Sequence, residues 1–247
     1  MAKSYDVIVV GAGNASLTSA LSAYEHGASV LVLEKAPKEL RGGNSRLTGG
    51  IFRFAFANVE DIKPLVPNMP SSEWENIVVE PYTEQMYYNT IMKVTQGMAD
   101  PVLTEWLISE SYETVGWMTD LGVKWEFATV LTTAFHGKKV YRGGTVIQAK
   151  GRGLGLMDME FDIVEKKGIE VKYGAVVQEL LTDSSGRVVG VKVKEPDGRL
   201  KVLTAGGVIL ASGGFEANEE MRMKYLGGEW SLVKVRGVRF NTGQLIE

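Results

Sequence analysis

The sequence contains no cysteine and only two histidines, His26 and His136. Without thiols, these 247 residues can form no disulfide, thiolate nucleophile, cysteine-ligated zinc site or iron–sulfur cluster. Two histidines also exclude a histidine-rich metal site, so no metal is expected. No apolar run approaches the ~20 residues needed to span a bilayer, so no transmembrane segment is expected. The short run Val7–Val10 is read as part of the fold, not as a signal peptide. A net charge of −3 gives none of the basic excess that nucleic acid demands. With 45% hydrophobic and 23% charged residues, the composition is that of an ordinary globular chain of one large or two small domains. A cytoplasmic setting is the default expectation.

What is present is concentrated in Asp6–Glu34. Val7–Val10 is wholly apolar and β-branched, as in a strand buried on both faces. The turn Gly11-Ala-Gly13-Asn-Ala-Ser16 follows, and then a helical pattern with Leu17, Ala20, Leu21 and Tyr24 on one face. Gly27 supplies the left-handed residue that ends many helices. Val30–Leu33 reads as a second buried strand, with Glu34 at its tip. This is a βαβ unit of about thirty residues, glycine-rich at its first turn and acidic at the end of its second strand. Gly11 permits the tight turn, Gly13 lets the main chain approach a pyrophosphate, and the N–H groups of the helix start face its charge. Glu34 can accept hydrogen bonds from both hydroxyls of a ribose. A GxGxxG string alone is weak evidence; its place between strand and helix makes it specific. Ser16 stands where a third glycine would, and is expected to widen the helix–strand contact slightly.

Beyond Glu34, Arg41-Gly-Gly-Asn-Ser45 and Thr48-Gly-Gly50 form a loop rich in free N–H groups and small polar side chains. Such a loop can wrap a phosphate or a ring edge. Residues 51–80 carry Pro64, Pro67 and Pro70 and read as irregular. Helices are expected from Tyr82, with Asp100-Pro101 as a cap and first turn and Gly122 as a stop. Trp106, Trp117 and Trp125 are expected in the core. His26 is placed at a helix C-terminus and His136 in a polar loop. A helix bearing Leu154, Met157, Phe161 and Val164 closes at Lys166-Lys167-Gly168. Strands are expected at 169–173, 176–181, 187–194, 200–203 and 207–210. The middle three form an antiparallel meander, and Asn218 caps a final helix up to Gly227.

The succession GAGNAS, VLEKAP, RGGNS, a helix ending in KKG, a meander and VILASGGFEAN resembles the flavoprotein family of fumarate reductases and succinate dehydrogenases. RGGNSR (41–46), SESYETVGWM (109–118) and VRGVRFNTG (235–243) are similar to the FAD-dependent tricarballylate dehydrogenase group within it. The resemblance covers essentially the whole chain. It implies an α/β, Rossmann-like FAD-binding domain over 1–247, with a parallel sheet, a three-stranded antiparallel meander and a helical insertion at about 82–122. It further implies that Gly11, Gly13, Asn14, Ala15 and Ser16 hold the pyrophosphate. Glu34 and Lys35, with Ala36 beside them, hold the adenosine ribose. Gly42, Gly43, Asn44, Ser45, Thr48, Gly49 and Gly50 line the flavin side. Val177 offers its main chain to the adenine, and Ala211, Ser212 and Gly213 close over the cofactor. Where members of the family attach FAD through a histidine in the segment matching 45–50, this chain has Leu47, which implies noncovalent FAD. The family's capping domain and catalytic residues are expected beyond residue 247, so the chain alone is expected to lack turnover.

The implied activity is a dehydrogenase acting on tricarballylate or a related polycarboxylate, with an electron acceptor not identified by the sequence. Arg46, Arg53 and Arg142 are conceivable carboxylate contacts, each better explained as a surface or loop arginine. A 3-ketosteroid-type flavin dehydrogenase and a catalytically silent FAD-binding fragment stay open as alternatives. A nicotinamide reductase fits less well, because the loops at 41–50 and 211–214 suit a longer flavin dinucleotide.

Overall fold

The computed structural model describes residues 4–130 and 132–246. In chain order its strands and helices are β1 (Ser4–Val10), α1 (Asn14–Glu25), β2 (Val30–Glu34), β3 (Ile51–Phe52), α2 (Ser71–Trp74), β4 (Ile77–Val79), α3 (Glu84–Val94), α4 (Pro101–Ser109), α5 (Ser111–Leu121), β5 (Trp125–Phe127), β6 (Thr133–Phe135), β7 (Lys138–Tyr141), β8 (Ile147–Ala149), α6 (Arg152–Lys166), β9 (Glu170–Tyr173), β10 (Val176–Thr182), β11 (Val188–Lys194), β12 (Leu200–Leu210) and α7 (Glu219–Leu226). They divide into two compact units. One comprises the residues up to Thr48 together with those from Glu160 onward, and the other is Gly49–Met159.

The first unit is built on a six-stranded sheet ordered β10-β11-β12-β1-β2-β9. β12, β1, β2 and β9 run parallel, while β10, β11 and β12 form the antiparallel meander. The parallel strands are the apolar, β-branched runs, as burial on both faces requires. Ile8, Leu31, Leu33 and Val191 are essentially inaccessible and share one core cluster with Val177 and Leu203. Each such side chain contributes about 1.5–3 kcal/mol through burial. In α1, Leu17, Ala20 and Leu21 are buried as the spacing requires, whereas Tyr24 reaches solvent one turn later. His26 is the C-cap of α1, its Nδ1 2.8 Å from the Ser22 carbonyl, and Gly27 follows at φ +85°.

The expected strands 200–203 and 207–210 are one continuous strand, β12. Its first half pairs antiparallel with β11 and its second half parallel with β1. Residues 204–206, which separate the two expected strands, lie inside it. A Cβ on Gly206 would lie 3.0 Å from the Asp6 carbonyl oxygen, so a close approach of main chains accounts for glycine there.

The second unit contains two three-stranded sheets, ordered β3-β8-β5 and β4-β7-β6, and the helices α3, α4 and α5. Thr83 and Asp100 cap α3 and α4 through their side-chain oxygens, and Pro101 opens α4. The single helix expected after Asp100 is two, α4 and α5, with Glu110 between them. Ser109 and Ser111 donate their hydroxyls back to the carbonyls of Trp106 and Ile108, a competition with helix continuation. Of the three tryptophans expected in the core, Trp125 is buried and Trp117 half-buried, but Trp106 is 71% exposed. The cause is the orientation of α4, which turns Thr104 and Ile108 inward and leaves Leu103, Trp106 and Leu107 outside. His136 lies in a two-residue turn between β6 and β7 at φ +46°, followed by Gly137 at φ +77°. Its ring stands edge-on to Phe135 at 4.2 Å.

In α6, Met157, Phe161 and Val164 are buried as expected, whereas Leu154 is half exposed. Glu160 is as inaccessible as the apolar residues of the same face, and neither carboxylate oxygen has a hydrogen-bond partner among the described residues.

Candidate functional site

The C-terminal ends of β1 and β2, the start of α1 and two loops enclose a cavity of about 220 Å3 in the first unit. This is the position at which open parallel sheets bind ligands. The turn from β1 to α1 is tight: Gly11 has φ +107° and its N–H donates to the Leu33 carbonyl at 2.8 Å. A Cβ on Gly11 would overlap the Ala211 carbonyl oxygen and lie 2.9 Å from Ser16 Oγ. Glycine is therefore required twice here, for the backbone angle and for the approach of β12. Ser16 does more than tolerate the place of a third glycine. It is fully buried, and its hydroxyl donates to the Ala211 carbonyl at 2.9 Å, linking α1 to the end of β12.

Gly13 is the N-cap of α1 and gives it no side-chain cap. The first turn of the helix therefore presents N–H groups with the positive end of its dipole. One of these, on Asn14, donates to Ser45 Oγ at 3.1 Å. A Cβ on Gly13 would meet the same Ser45 oxygen at 3.3 Å, so the 42–45 loop is what crowds this glycine. The Asn14 side-chain oxygen lies in the cavity wall, buried and without a partner among the described residues.

Glu34 faces the cavity from the tip of β2 and is 7% exposed. Its Oε1 accepts the Ala36 N–H at 2.7 Å. Burial pushes its carboxyl above the usual range, opposed by the N–H groups of Ala36, Ala12 and Lys35 and by the Lys35 charge. Burial likewise lowers Lys35, against the attraction of Glu34, and Lys35 Nζ donates to Thr242 Oγ1 at 2.8 Å.

Gly11, Gly13, Asn14, Ala15, Glu34, Lys35, Ala36, Gly43, Asn44, Ser45, Val177, Ala211, Ser212 and Gly213 thus all line this cavity. Ser16 stands behind it and Gly42 does not line it. Thr48, Gly49 and Gly50 are not brought to this cavity either. Gly49 and Gly50 open the second unit, where the Gly50 carbonyl accepts the Ala149 N–H. The segment 38–48 is shaped by two short 3-10 turns, Lys38–Leu40 and Gly43–Leu47.

The sequence reading missed the segment 240–245 as part of the site. Phe240, Asn241, Gly243, Gln244 and Leu245 all line the cavity. Asn44 Oδ1 accepts the Val238 N–H at 2.8 Å, and Arg236 donates to the Leu47 carbonyl at 2.8 Å, so the two loops are tied together. The signal available was Asn-Thr-Gly at 241–243, a turn signature with no chemical group of its own to mark it.

The three candidate arginines are not gathered at the cavity. Arg46 donates to the carbonyls of Glu39 and Arg41, Arg53 to that of Gly144, and Arg142 is exposed. Among the described residues Lys35 is the one cation in the lining. Among the described residues no group of acids and histidines is placed to hold a metal ion, and no helix is long and apolar enough to cross a membrane.

The fold and this cavity define a dinucleotide-binding protein of the parallel-sheet type. Residues 6–244 match the family model described as FAD binding domain. The chain belongs to that family, and FAD is its cofactor. It is 31% identical over 215 residues to a fumarate reductase (cytochrome) of Shewanella frigidimarina, covering 87% of this chain and 34% of that protein. It is 32% identical over 223 residues to a urocanate reductase of Eggerthella lenta, covering 89% and 33%. The open conformation of a flavocytochrome c3 fumarate reductase shares the fold with a TM-score of 0.78 at 22% identity, covering 99% of this chain and 39% of that one. The 3-ketosteroid-delta4-(5alpha)-dehydrogenase of Rhodococcus jostii RHA1 does so with a TM-score of 0.75 at 23% identity, covering 98% and 52%. The chain spans about a third of the length of the two reductases it matches in sequence.

Proposed function

We propose that the chain is the cofactor-holding part of a cytoplasmic flavin oxidoreductase of the fumarate reductase type. Its substrate is a small carboxylate, tricarballylate or a related polycarboxylate, and its electrons pass to or from a separate acceptor. In this reading residues 1–247 form the FAD-binding domain, with the helices of 82–122 as an insertion. The observation that carries it is the cavity flanked by buried Glu34 and by the uncapped start of α1. The likeness to a fumarate reductase and a urocanate reductase supports the carboxylate.

The residues present fit the cofactor. Glu34 accepts from the adenosine ribose. The N–H groups of Ala15 and Ser16 would hold the pyrophosphate, and a hydroxyl of the cofactor would donate to the Asn14 side-chain oxygen, which has no partner among the described residues. Val177 offers its main chain to the adenine, and Ala211, Ser212 and Gly213 close the far wall. FAD bound there supplies hydride transfer next to a substrate carboxylate. Among the described residues the lining holds no arginine or histidine, and in this reading the groups that recognise the carboxylates lie outside this cavity.

Titrating the purified chain with FAD should develop a bound-flavin spectrum. Under anaerobic conditions tricarballylate, succinate and a 3-ketosteroid are then added in turn. The chain alone is expected to bleach with none of them faster than ~1 per second, the low end for ordinary enzymes. Bleaching by the steroid but not by either carboxylate would overturn the carboxylate reading.

Two further outcomes test the cofactor site. Because Leu47 replaces the histidine needed for a covalent link, acid precipitation should leave the flavin in the supernatant; colour in the pellet contradicts this. Glu34→Ala should weaken FAD at least tenfold, since a hydrogen bond to a charged group is worth ~1.5–3 kcal/mol. Thermal melting run alongside separates lost affinity from lost folding, because Glu34 also holds the Ala36 N–H. Unchanged affinity would place the adenosine elsewhere.

A further inference from the structure

In the first unit a recess of about 270 Å3 lies beside α7 and shares no lining residue with the FAD cavity. Among the described residues its cations are Arg222 of α7 and Arg239, and its one acid is Glu216. Arg222 is 9% exposed, a degree of burial that a guanidinium seldom reaches without a charged partner. It also stands in the first turn of α7, the end of a helix that disfavours a cation, and the two acids of that turn, Glu219 and Glu220, are exposed. Its Nη1 donates to the Glu216 carbonyl at 2.6 Å and its Nε to the Trp230 carbonyl at 3.2 Å. Both acceptors are neutral, and among the described residues Arg222 forms no ion pair. A guanidinium carries five N–H donors, and the two on Nη2 have no acceptor among the described residues. The Glu216 carboxylate is turned to other groups: its Oε2 accepts from Asn241 Nδ2 at 3.3 Å, and both oxygens lie against Gly214.

We propose that this recess is a binding site for a small aliphatic carboxylate. The carboxylate accepts from Nη2 of Arg222 and supplies the negative charge that the buried guanidinium lacks, which offsets the cost of burying it. Arg239 adds a second positive charge to the lining. It is exposed, and its Cζ stands 5.1 Å from the centre of the Phe240 ring. Two arginines against one carboxylate leave the lining with an excess of positive charge. The aliphatic part of the ligand lies against Val233, Val235 and Val238, which give the recess an apolar side. Those valines also argue against phosphate, whose several oxygens each require a donor. At its volume the recess stands at the small end of ligand sites, so the acid is one of a few carbon atoms.

Calorimetric titration of the purified chain with butyrate tests this. One-to-one binding is expected with a dissociation constant on the order of millimolar, as befits so small a ligand. Butyramide, the neutral analogue of the same shape, should show no saturable binding, and inorganic phosphate should bind at least about tenfold more weakly than butyrate. Because the two linings share no residue, saturating FAD should leave the butyrate affinity unchanged. Arg222→Gln and Arg239→Gln should each weaken butyrate at least about tenfold, the effect of losing a bond to a charged group. Arg222→Gln also gives up two carbonyl contacts. The exposed Arg239 therefore supplies the deciding variant should circular dichroism show Arg222→Gln unfolded. A chain with no saturable butyrate binding overturns the proposal, as does one that binds butyramide or phosphate as tightly as butyrate. Loss of butyrate binding on addition of FAD overturns it by placing the acid in the cofactor cavity. Wild-type affinity in every variant that folds overturns it as well.

Discussion

Gly11→Ala is expected to abolish FAD binding and to lower the stability of the chain by about 3–5 kcal/mol. Two costs combine. Gly11 sits at φ +107°, a region in which an L side chain is strained. The added methyl would also overlap the Ala211 carbonyl oxygen and crowd Ser16 Oγ. Those atoms belong to a bonded unit, since the Ser16 hydroxyl donates to that carbonyl and the Ala211 N–H donates to the Val10 carbonyl at 2.9 Å. Relief therefore requires β12 to move away from the β1–α1 turn, which opens the cavity where the pyrophosphate is held. Gly27→Ala is the control. Gly27 also has positive φ, +85°, but nothing lies within 4 Å of the added methyl, so only the backbone cost of roughly 1 kcal/mol remains. Urea denaturation of both variants, with FAD titration, checks the pair. Equal losses for the two would show that the approach of Ala211 is not what requires glycine at position 11.

Glu160→Gln is expected to leave stability nearly unchanged at pH 5 and to raise it by on the order of 4 kcal/mol at pH 9. Burial alone pushes the Glu160 carboxyl from its ordinary value near 4.5 up to about 8, with no donor among the described residues to oppose it. A carboxyl raised in this way holds its proton in the folded chain through a range where the unfolded chain has lost it. Stability therefore falls as pH rises from about 4.5 to about 8, at up to ~1.4 kcal/mol per pH unit, and is flat with respect to this group outside that window. Glutamine keeps the shape and cannot ionise, so its stability curve should lack this slope. Thermal melts of both proteins from pH 5 to pH 9 read the difference directly. Parallel curves for the two would mean that Glu160 is ionised and partnered in the folded chain.

The Asp6–Glu34 unit was legible because each step in it is local. The apolar runs at 7–10 and 30–33 determine strands buried on both faces, Gly11 the turn, and Glu34 the acid at the strand tip. The meander was legible for the same reason, as its turns at Ser184-Ser-Gly186 and Pro196-Asp-Gly198 lie between alternating strands. Asn218, Asp100 and Gly122 marked helix ends through capping chemistry that acts over three or four residues.

Tertiary structure alone decided the rest, because it depends on what approaches from far along the chain. Residues 204–206 look like a gap between two strands until Asp6 is seen beside Gly206. Ser16 looks like a tolerated substitution until Ala211 arrives from 195 residues away to take its hydroxyl. Segment 240–245 carries no titratable group, and it joins the site through the bond of Lys35 to Thr242, beside those of Asn44 to Val238 and of Arg236 to Leu47. Burial was decided in the same way. The sequence determines that α4 and α6 are helices rich in apolar residues. Only packing determined that Trp106 faces water and Glu160 does not, since periodicity defines the faces of a helix without saying which one the core will take.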